Sequence, residues 1–408
     1  MAKPASKETA LWVVRRLRKA GHEAFFAGGS VRDKLMGHES TDYDIATNAT
    51  PREVKKLFGH VLLVGAKFGV AMVIRDGRKV EVTTFRSDLS YQDGRRPEGV
   101  CFATPAEDAQ RRDFTINGMF YDPEADQIVD YVGGRDDLQR KVLRTIGRAE
   151  DRFGEDYLRM LRAVRFAVRF DFAMDPATAS AVRHHAAKIT AISGERICEE
   201  LSKMLSIPSA ARALEMLADL GLGEYVLPEL FEPGRWDWAL RRVKDVAARG
   251  DLLLTLAAML GDLPAADIAG IVRRWGAAND LRDALTWIAG NLPRWGEAAD
   301  WPLCDFKRML AHRHSRPLRL LWVLEERRTT GATVHARRVA RRAAGIDPRK
   351  LLPSPLVTGK DLQDLGVKQG PDLGRIHKAL YDAQLNEDFH TRKAAMKAAR
   401  AMVAAEKK

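Results

Sequence analysis

Asp42 and Asp44, one residue apart in "FFAGGSVRDKLMGHESTDYDIAT" (25–47), are the first side chains whose spacing suggests chemistry. In an extended segment successive side chains point to opposite faces, so the two carboxylates project together while Tyr43 faces away. Two anions that close repel unless a cation lies between them. Mg²⁺ with triphosphate oxygens fits best, because it takes few, hard oxygen ligands. Just upstream, Phe25–Phe26 reads as a strand end and Val31–Met36 as a short helix, joined through Gly28 and Gly29. A strand, a glycine turn and a helix N-terminus make a backbone device for phosphate. Alone, each motif is more simply a tight turn or a solvated acidic pair; in this order they favour a phosphate-and-metal site. The sequence contains no G-x-x-x-x-G-K-[ST] and no G-x-G-x-x-G, so P-loop and Rossmann nucleotide binding lose their support.

The elements that must hold these residues come from the first 150 positions, where β and α signals alternate. "HVLLVGAKFGVAMVIRDGRKVEVTTF" (60–85) reads as strand, glycine turn, strand, Asp76-Gly77 hairpin, strand, with Glu81 in the last of them. Glu81 is either a third carboxylate for the same centre or an ordinary strand residue. "YQDGRRPEG" (91–99) reads as a polar loop, and "RRDFTINGMFYD" (111–122) leads into another hairpin. From about Asp151 the periodicity turns helical, punctuated by Pro and Gly. In "GEDYLRMLRAVRFAVRF" (154–170), Leu161, Val164 and Val168 share one helix face. Asp156, Arg159 and Arg162 step along the opposite flank. That stripe is a solvated salt-bridge face, or it is a donor–acceptor set able to address a base edge. Trp236, Trp238, Trp275, Trp287, Trp295, Trp301 and Trp322 read as helix-packing anchors.

The bulk numbers describe an ordinary soluble protein of two to four structural units, 408 residues with 46% apolar and 30% charged positions. Three scattered cysteines suggest neither a disulfide framework nor a cysteine zinc site, and the first apolar run is broken by Arg15, Arg16, Arg18 and Lys19. A reduced, cytoplasmic compartment is the expectation. The net charge of +12 is uneven: residues 1–150 hold 25 Lys+Arg and 22 Asp+Glu, 151–326 hold 24 and 25, and 327–408 hold 18 and 8. The last fifth therefore carries the excess, as a polyanion-binding tail needs.

Taken in order, "GGSVRD" (28–33), "DYD" (42–44), "EVTTFR" (81–86), "YQDGRRPEGVCF" (91–102), "RRDFTING" (111–118), "EDYLRMLRAVRFA" (155–167) and "SGERICEELSKML" (193–205) resemble the bacterial tRNA nucleotidyltransferase and poly(A) polymerase family, the class II CCA-adding enzymes. "VTGKDLQDLGVKQGPDLGRI" (357–376) is similar to the family's C-terminal sequence. The resemblance implies an α+β fold: a nucleotidyltransferase head with a mixed sheet at 1–150, then an all-helical neck (151–230), body (231–326) and basic tRNA-binding tail (327–408). It implies an enzyme that extends tRNA 3′ ends from CTP and ATP, releasing pyrophosphate, without a nucleic-acid template. By motif match, Asp42 and Asp44 hold the metals, and Gly29 and Arg32 contact the triphosphate. Arg112 and Asp113 lie near the nucleotide's phosphate and sugar. Asp156 and Arg159 read the incoming base, and Arg162 and Arg165 support that pocket.

One departure is Gly118, where the family pattern has alanine, a small-for-small change that eases packing. No His-Asp dipeptide occurs, so the metal phosphohydrolase domain of some relatives is not expected. The intact "DGRRPEG" argues against a CC-only enzyme, while A-only addition, poly(A) synthesis and a catalytically inactive RNA-binding relative remain as alternatives. Neutralising phosphates with Lys and Arg releases counterions, so binding through the tail must weaken steeply with salt. Removal of residues 327–408 is expected to lower tRNA affinity and flatten its salt dependence while free-nucleotide binding survives. Filter binding over a salt series checks this, and an unchanged slope counts against a tRNA-binding tail.

Overall fold

In the computed structural model, residues 3–4, 6–63, 68–88 and 100–406 are described. The stretch read as a polar loop (91–99) and part of the glycine turn near residue 65 lie outside them. Two compact units divide the chain, one of residues 1–255 and 273–277, the other of 256–272 and 278–408.

The first unit is built on an eight-stranded mixed sheet. Its strands are β1 (Lys3–Pro4), β2 (Ala24–Ala27), β3 (Asp44–Thr47), β4 (Val61–Leu62), β5 (Val70–Arg75), β6 (Arg78–Thr84), β9 (Phe120–Asp122) and β10 (Gln127–Val129). Between β6 and β9, β7 (Arg86–Asp88) and β8 (Val100–Phe102) pair only with each other. The order is β10-β9-β2-β3-β6-β5-β4, with β1 beside β6. β3 and β6 run parallel, Ile45 opposite Val82, whereas β5 and β6 form the expected hairpin. Asp76 and Gly77 take positive φ (49° and 71°) at its tip, the turn whose twist matches the strands.

Alternation along the strands sends side chains into cores on both faces. Phe26, Ile45, Val73, Val80 and Val82 pack with Ala10, Val13, Val14 and Leu17 of α1 (Lys7–Lys19). Ala27, Ala46, Phe85, Ala109 and Phe120 form the other layer. Ser6 accepts from the Thr9 N–H and starts α1, and a Thr50–Glu53 capping box with Pro51 starts α3 (Pro51–Leu57). Between these lies α2 (Gly29–Leu35), and after β8 comes α4 (Pro105–Gln110), opened by a Thr104–Glu107 box.

Beyond β10 come α5 (Gly134–Arg140), β11 (Val142–Leu143), α6 (Ala149–Glu155), α7 (Leu158–Phe170), β12 (Ala173–Met174), α8 (Pro176–His185) and α9 (Gly194–Leu205). β12 is the one strand past residue 150 among the described residues, and it pairs in parallel with β11. The sequence reading had no strand there, since two residues carry no periodicity. The continuous helix expected over 154–170 is two helices: Asp156 is extended (φ −154°, ψ 104°) and ends α6, and α7 begins at Leu158. Leu161, Val164 and Val168 are buried as expected. A third core of Phe114, Ile116, Leu143, Ala163, Phe166, Ala167 and Phe172 holds the segment after Arg112 against α7.

Helices make up the second unit. Trp301 and Trp322 meet edge to face at 5.8 Å and are buried, as packing anchors should be. The helix Ser315–Thr330 runs across the expected 326/327 boundary. Val357, Leu362, Ile376, Leu380, Ala395, Ala399 and Val403 form one cluster, and Pro371 opens a helix to Leu385.

One glycine fixes how α5 approaches the segment that follows Arg112. A Cβ on Gly134 would stand 2.2 Å from the Thr115 carbonyl oxygen, whereas one on Gly154 of α6 would meet nothing within 4 Å. The backbone at Thr115 cannot give way without moving its neighbours, while Ala is the better helix former where there is room. Gly134→Ala is expected to destabilise by about 2 kcal/mol or more, as overpacked sites do. Gly154→Ala is expected to be neutral or stabilising by up to about 1 kcal/mol. Chemical denaturation of both variants checks the pair.

Candidate active site

The glycine turn lies where β2 hands over to α2. Gly28 caps the helix at φ +65°, a conformation that excludes most side chains. A Cβ on Gly28 would come 3.3 Å from Arg112 Nη1, and one on Gly29 3.4 Å from Arg32 Nη2. Two guanidinium groups thus rest against the bare turn. Arg112 is held by Asp108, with its Nη2 donating to Oδ2 at 2.8 Å, and Arg111 donates to the other oxygen of that carboxylate. Burial raises the Asp108 pKa, but Arg112 and Arg111 outweigh it and hold the group below the usual carboxylate range.

Asp42 and Asp44 both reach solvent on either side of Tyr43, which is buried with its ring 5.3 Å from Phe26. The register that sets Ile45 against Val82 brings Asp44 level with Glu81, so the three carboxylates belong to one face of the sheet, at the start of the interior strand β3. The Asp44 carboxyl meets water yet is crowded by protein atoms. That crowding, then the charges of Glu81 and Asp42, push it up to about 7, with Arg112 opposing. Burial, then Asp42, raises Glu81 as well. Such uncompensated negative charge suits a cation. Among the described residues no group of three His, Cys, Asp or Glu side chains closes a metal cage by itself. The acids therefore fit a cation that completes its shell with ligand oxygens and water, as Mg²⁺ commonly does.

Behind the turn a chain of buried polar contacts crosses from the sheet to the helices. Arg32, 4% exposed, donates through Nε and Nη2 to Asp33 (3.0 and 2.8 Å) and through Nη1 to Asn117 Oδ1 (2.5 Å). Its guanidinium also stacks 4.3 Å from the Phe170 ring centre. The sequence reading had Arg32 reaching for triphosphate. In the structure its donors meet Asp33 and Asn117, and Nη2 also lies against Gly29, the turn that the triphosphate reading addresses. Asn117 Nδ2 donates to Asp113 Oδ1, and Arg162 donates to Asp113 Oδ2 from Nε (2.9 Å) and Nη2 (2.6 Å). Arg165 Nε donates to Glu200 of α9 at 2.5 Å, and Arg162 lies 4.0 Å from that carboxylate.

Asp156 and Arg159 flank the α6–α7 break, joined by an Arg159 N–H to Asp156 carbonyl bond of 3.0 Å, but their side chains take different partners. Asp156 Oδ1 accepts from the Leu158 N–H, starting α7, and Oδ2 accepts from Arg196 Nη2 at 2.7 Å. Arg159 donates to Glu155 and to the Arg111 carbonyl. The expected single stripe thus becomes two differently anchored groups, because the extended residue rotates Asp156 off the helix. Sequence reasoning named none of Asp108, Asn117, Arg196 or Glu200 as site residues. Asn117, Arg196 and Glu200 lay inside quoted motifs, but nothing in the sequence singled out Asp108.

An acidic pair at the start of a central strand of a mixed sheet, next to a glycine turn lined by arginines and followed by helices, defines a nucleotidyltransferase. Comparison with known proteins agrees. The family model of the poly A polymerase head domain matches residues 24–144, and that of the probable RNA and SrmB-binding site of polymerase A matches 171–232. The CCA-adding enzyme of Geobacillus thermodenitrificans is 40% identical over 315 residues, covering 74% of this chain and 76% of that one. The Geobacillus kaustophilus enzyme is 36% identical over 397 residues, covering 95% and 94%. The crystal structure of the Bacillus stearothermophilus CCA-adding enzyme in complex with CTP superposes with a TM-score of 0.79 at 32% identity, covering 97% of this chain and 98% of that one. The chain belongs to the family of CCA-adding enzymes.

The Asp113 knot carries a pH signature. Burial alone would raise this carboxyl, but the charge and hydrogen bonds of Arg162, with Asn117, hold it at about 2. Its ordinary value is about 3.9. A depressed acid contributes stability that is present above the unfolded value and lost as pH falls through the folded one. Wild-type protein is therefore expected to lose about 2 kcal/mol from this group between pH 5 and pH 2. Asp113→Asn should lack that increment. Urea unfolding across that range checks it, and equal acid losses in both proteins would refute the assignment.

Proposed function

We propose that this protein adds the CCA sequence to tRNA 3′ ends, using CTP and ATP and releasing pyrophosphate without a nucleic-acid template. The observation that carries the reading is the buried chain from Arg32 through Asn117 and Asp113 to Arg162. It ties the glycine turn, suited to phosphate, to α7, the helix that carries Arg159 and begins beside Asp156, the pair suited to a base edge. A selector made of protein must be held in register with the phosphate site, and this chain does so without RNA. The Bacillus stearothermophilus relative has been solved with CTP, which supports the same substrate class here.

In this reading the tRNA 3′ hydroxyl attacks the α-phosphorus, its proton departs, the bond to the bridging oxygen breaks, and pyrophosphate leaves. Asp42 and Asp44, with Glu81 beside them, would hold Mg²⁺, which supplies neutralisation of phosphate charge and a more acidic hydroxyl. Gly29 and Arg112 serve the triphosphate, and Arg32 and Asp113 keep the turn and the sugar side in place. Asp156 and Arg159 read the base, while Arg162 and Arg165 brace that pocket. A site built to hydrogen-bond a base edge rejects analogues by leaving its buried polar groups unpaired. Head, neck, body and tail correspond to 1–150, 151–230, 231–326 and 327–408, with the basic tail gripping tRNA. No described helix is long and apolar enough to cross a membrane, and the cytoplasm is the proposed location.

Supplying tRNAs that end before C, after C and after CC tests this, with labelled CTP or ATP and mapped products. Full CCA addition to the first substrate is the expected outcome; incorporation of A alone, or of long A tracts, would replace the reading. Asp42→Ala and Asp44→Ala are each expected to abolish incorporation with tRNA binding largely retained. Near-normal turnover by both would overturn the metal assignment.

A further inference from the structure

One cross-strand row runs through the acidic site and continues beyond it. Ala27 of β2 stands opposite Asp44 of β3, and Asp44 is level with Glu81 of β6. Glu81 faces Met72 of β5, and Met72 faces Leu62 of β4. Directly opposed residues on neighbouring strands share a face, so these five side chains belong to one side of the sheet. Gly28 and the turn suited to phosphate follow Ala27 at one end of the row. At the other end the row is apolar. Strands lie about 4.8 Å apart, which sets Met72 about 5 Å and Leu62 about 10 Å past Glu81.

The strand β5 reads VAMVIR and is apolar on both of its faces. Ala71 and Val73 are buried in the core shared with α1. On the acidic side, Val70 (opposite Thr83) and Met72 are only half-buried, and Leu62 is 48% exposed. None of these three belongs to the core of Ala27, Ala46, Phe85, Ala109 and Phe120 on that side of the sheet. Single exposed apolar residues need no explanation, but a contiguous shelf beside an active site marks a contact surface. Lys79, exposed, stands on the same face two residues before Glu81. An apolar seat beside a cation matches a nucleotide, which has a base to cover and a phosphate to neutralise.

The chemistry of transfer selects which nucleotide. In phosphoryl transfer the attacking and leaving oxygens stand roughly in line across the phosphorus. With the triphosphate on the glycine turn, pyrophosphate leaves on the β2 side of the acids, so the attacking hydroxyl enters from the β5 side. We propose, resting on the functional reading above, that Val70, Met72 and Leu62 seat the 3′-terminal base of the acceptor tRNA strand. The shelf thereby holds the 3′ hydroxyl at Asp42 and Asp44. Single-stranded RNA ends present unstacked bases to such surfaces, and a flexible, polarisable methionine accepts C or A alike. These are positioning residues, since they meet the base and not the reacting atoms.

The test uses the full-length protein, ATP and two tRNAs that end after CC, one with its 3′-terminal base removed to leave an abasic ribose. Wild-type protein is expected to add A to the base-bearing tRNA with a kcat/KM about tenfold or more above that for the abasic one. Met72→Gln and Leu62→Gln keep the bulk and remove the apolar seat. Each should shrink that preference by about threefold or more, through KM for tRNA, while CTP affinity measured by calorimetry stays at the wild-type value. Circular dichroism and thermal unfolding establish that each variant is folded. Leu62 lies at an exposed position on the last strand of the sheet, so Leu62→Gln decides the matter should Met72→Gln fail to fold. Equal use of the two tRNAs by wild type, an unaltered preference in the folded variants, or a loss of CTP affinity matching the loss with tRNA would overturn the proposal and leave nucleotide addition standing. Absence of incorporation into either tRNA would instead overturn the functional reading, and this proposal with it.

Discussion

The pairing of Asp113 with Arg162 is the contact on which the site depends. Asp113 is 8% exposed, and one of its oxygens takes two hydrogen bonds from a single guanidinium while the other takes Asn117 and the Phe114 N–H. A carboxylate this deep is tolerable only when its charge is matched and its lone pairs are filled. Removing either partner would leave an uncompensated ion, so the constraint is mutual. Because Asp113 follows the sheet-side Arg112 and Arg162 belongs to α7, satisfying this one charge aligns two parts of the chain. The aromatic core of Phe114, Phe166 and Phe172 then excludes water from around it.

From that pair, order spreads in two directions. Through Asn117 it reaches Arg32, so the residue after the glycine turn is braced by the same carboxylate that braces the helix. Through Arg162 it reaches Glu200 and Arg165, joining α9 to α7. Asp156 is tethered separately, by Arg196 of α9. The α6–α7 break is therefore held from both sides: Arg159 on Glu155 before it, and Arg196 across it. An isolated helix would carry Asp156 and Arg159 at fixed spacing; the break frees their relative direction, and the tethers then set it.

The acidic cluster at the start of β3 shows the opposite strategy. Asp42, Asp44 and Glu81 carry charge that the protein leaves largely unmatched, with Arg112 the opposing cation at Asp44. Elsewhere in the unit, buried acids are matched, as Asp108 is by Arg111 and Arg112. A fold that neutralises Asp108 and Asp113 yet leaves Asp42, Asp44 and Glu81 short of cations has kept that place for a ligand's charge. Structural and functional carboxylates are thus separated by how completely the chain itself compensates them.

Much of this was legible in the sequence, for a local reason. The phase of Asp42, Tyr43 and Asp44, the Asp76-Gly77 hairpin, the turn at Gly28–Gly29 and the apolar face of Leu161, Val164 and Val168 follow from side-chain period and glycine placement. Those rules act over a few residues, and motif order extended them to family and candidate site. What the sequence did not determine was which ion meets which. Arg32 meets Asn117 across 85 residues, Arg162 meets Asp113 across 49 and Arg196 meets Asp156 across 40. Nor did it reveal the break at Asp156, because 3.6-residue periodicity continues through a single extended residue. Partner choice among many arginines and acids depends on distances and burial that exist only once the sheet and helices have packed. Only the tertiary structure decided that Arg32 faces largely inward and that Asp156 leans on Arg196, since each charge goes to the nearest partner that can keep it company out of water.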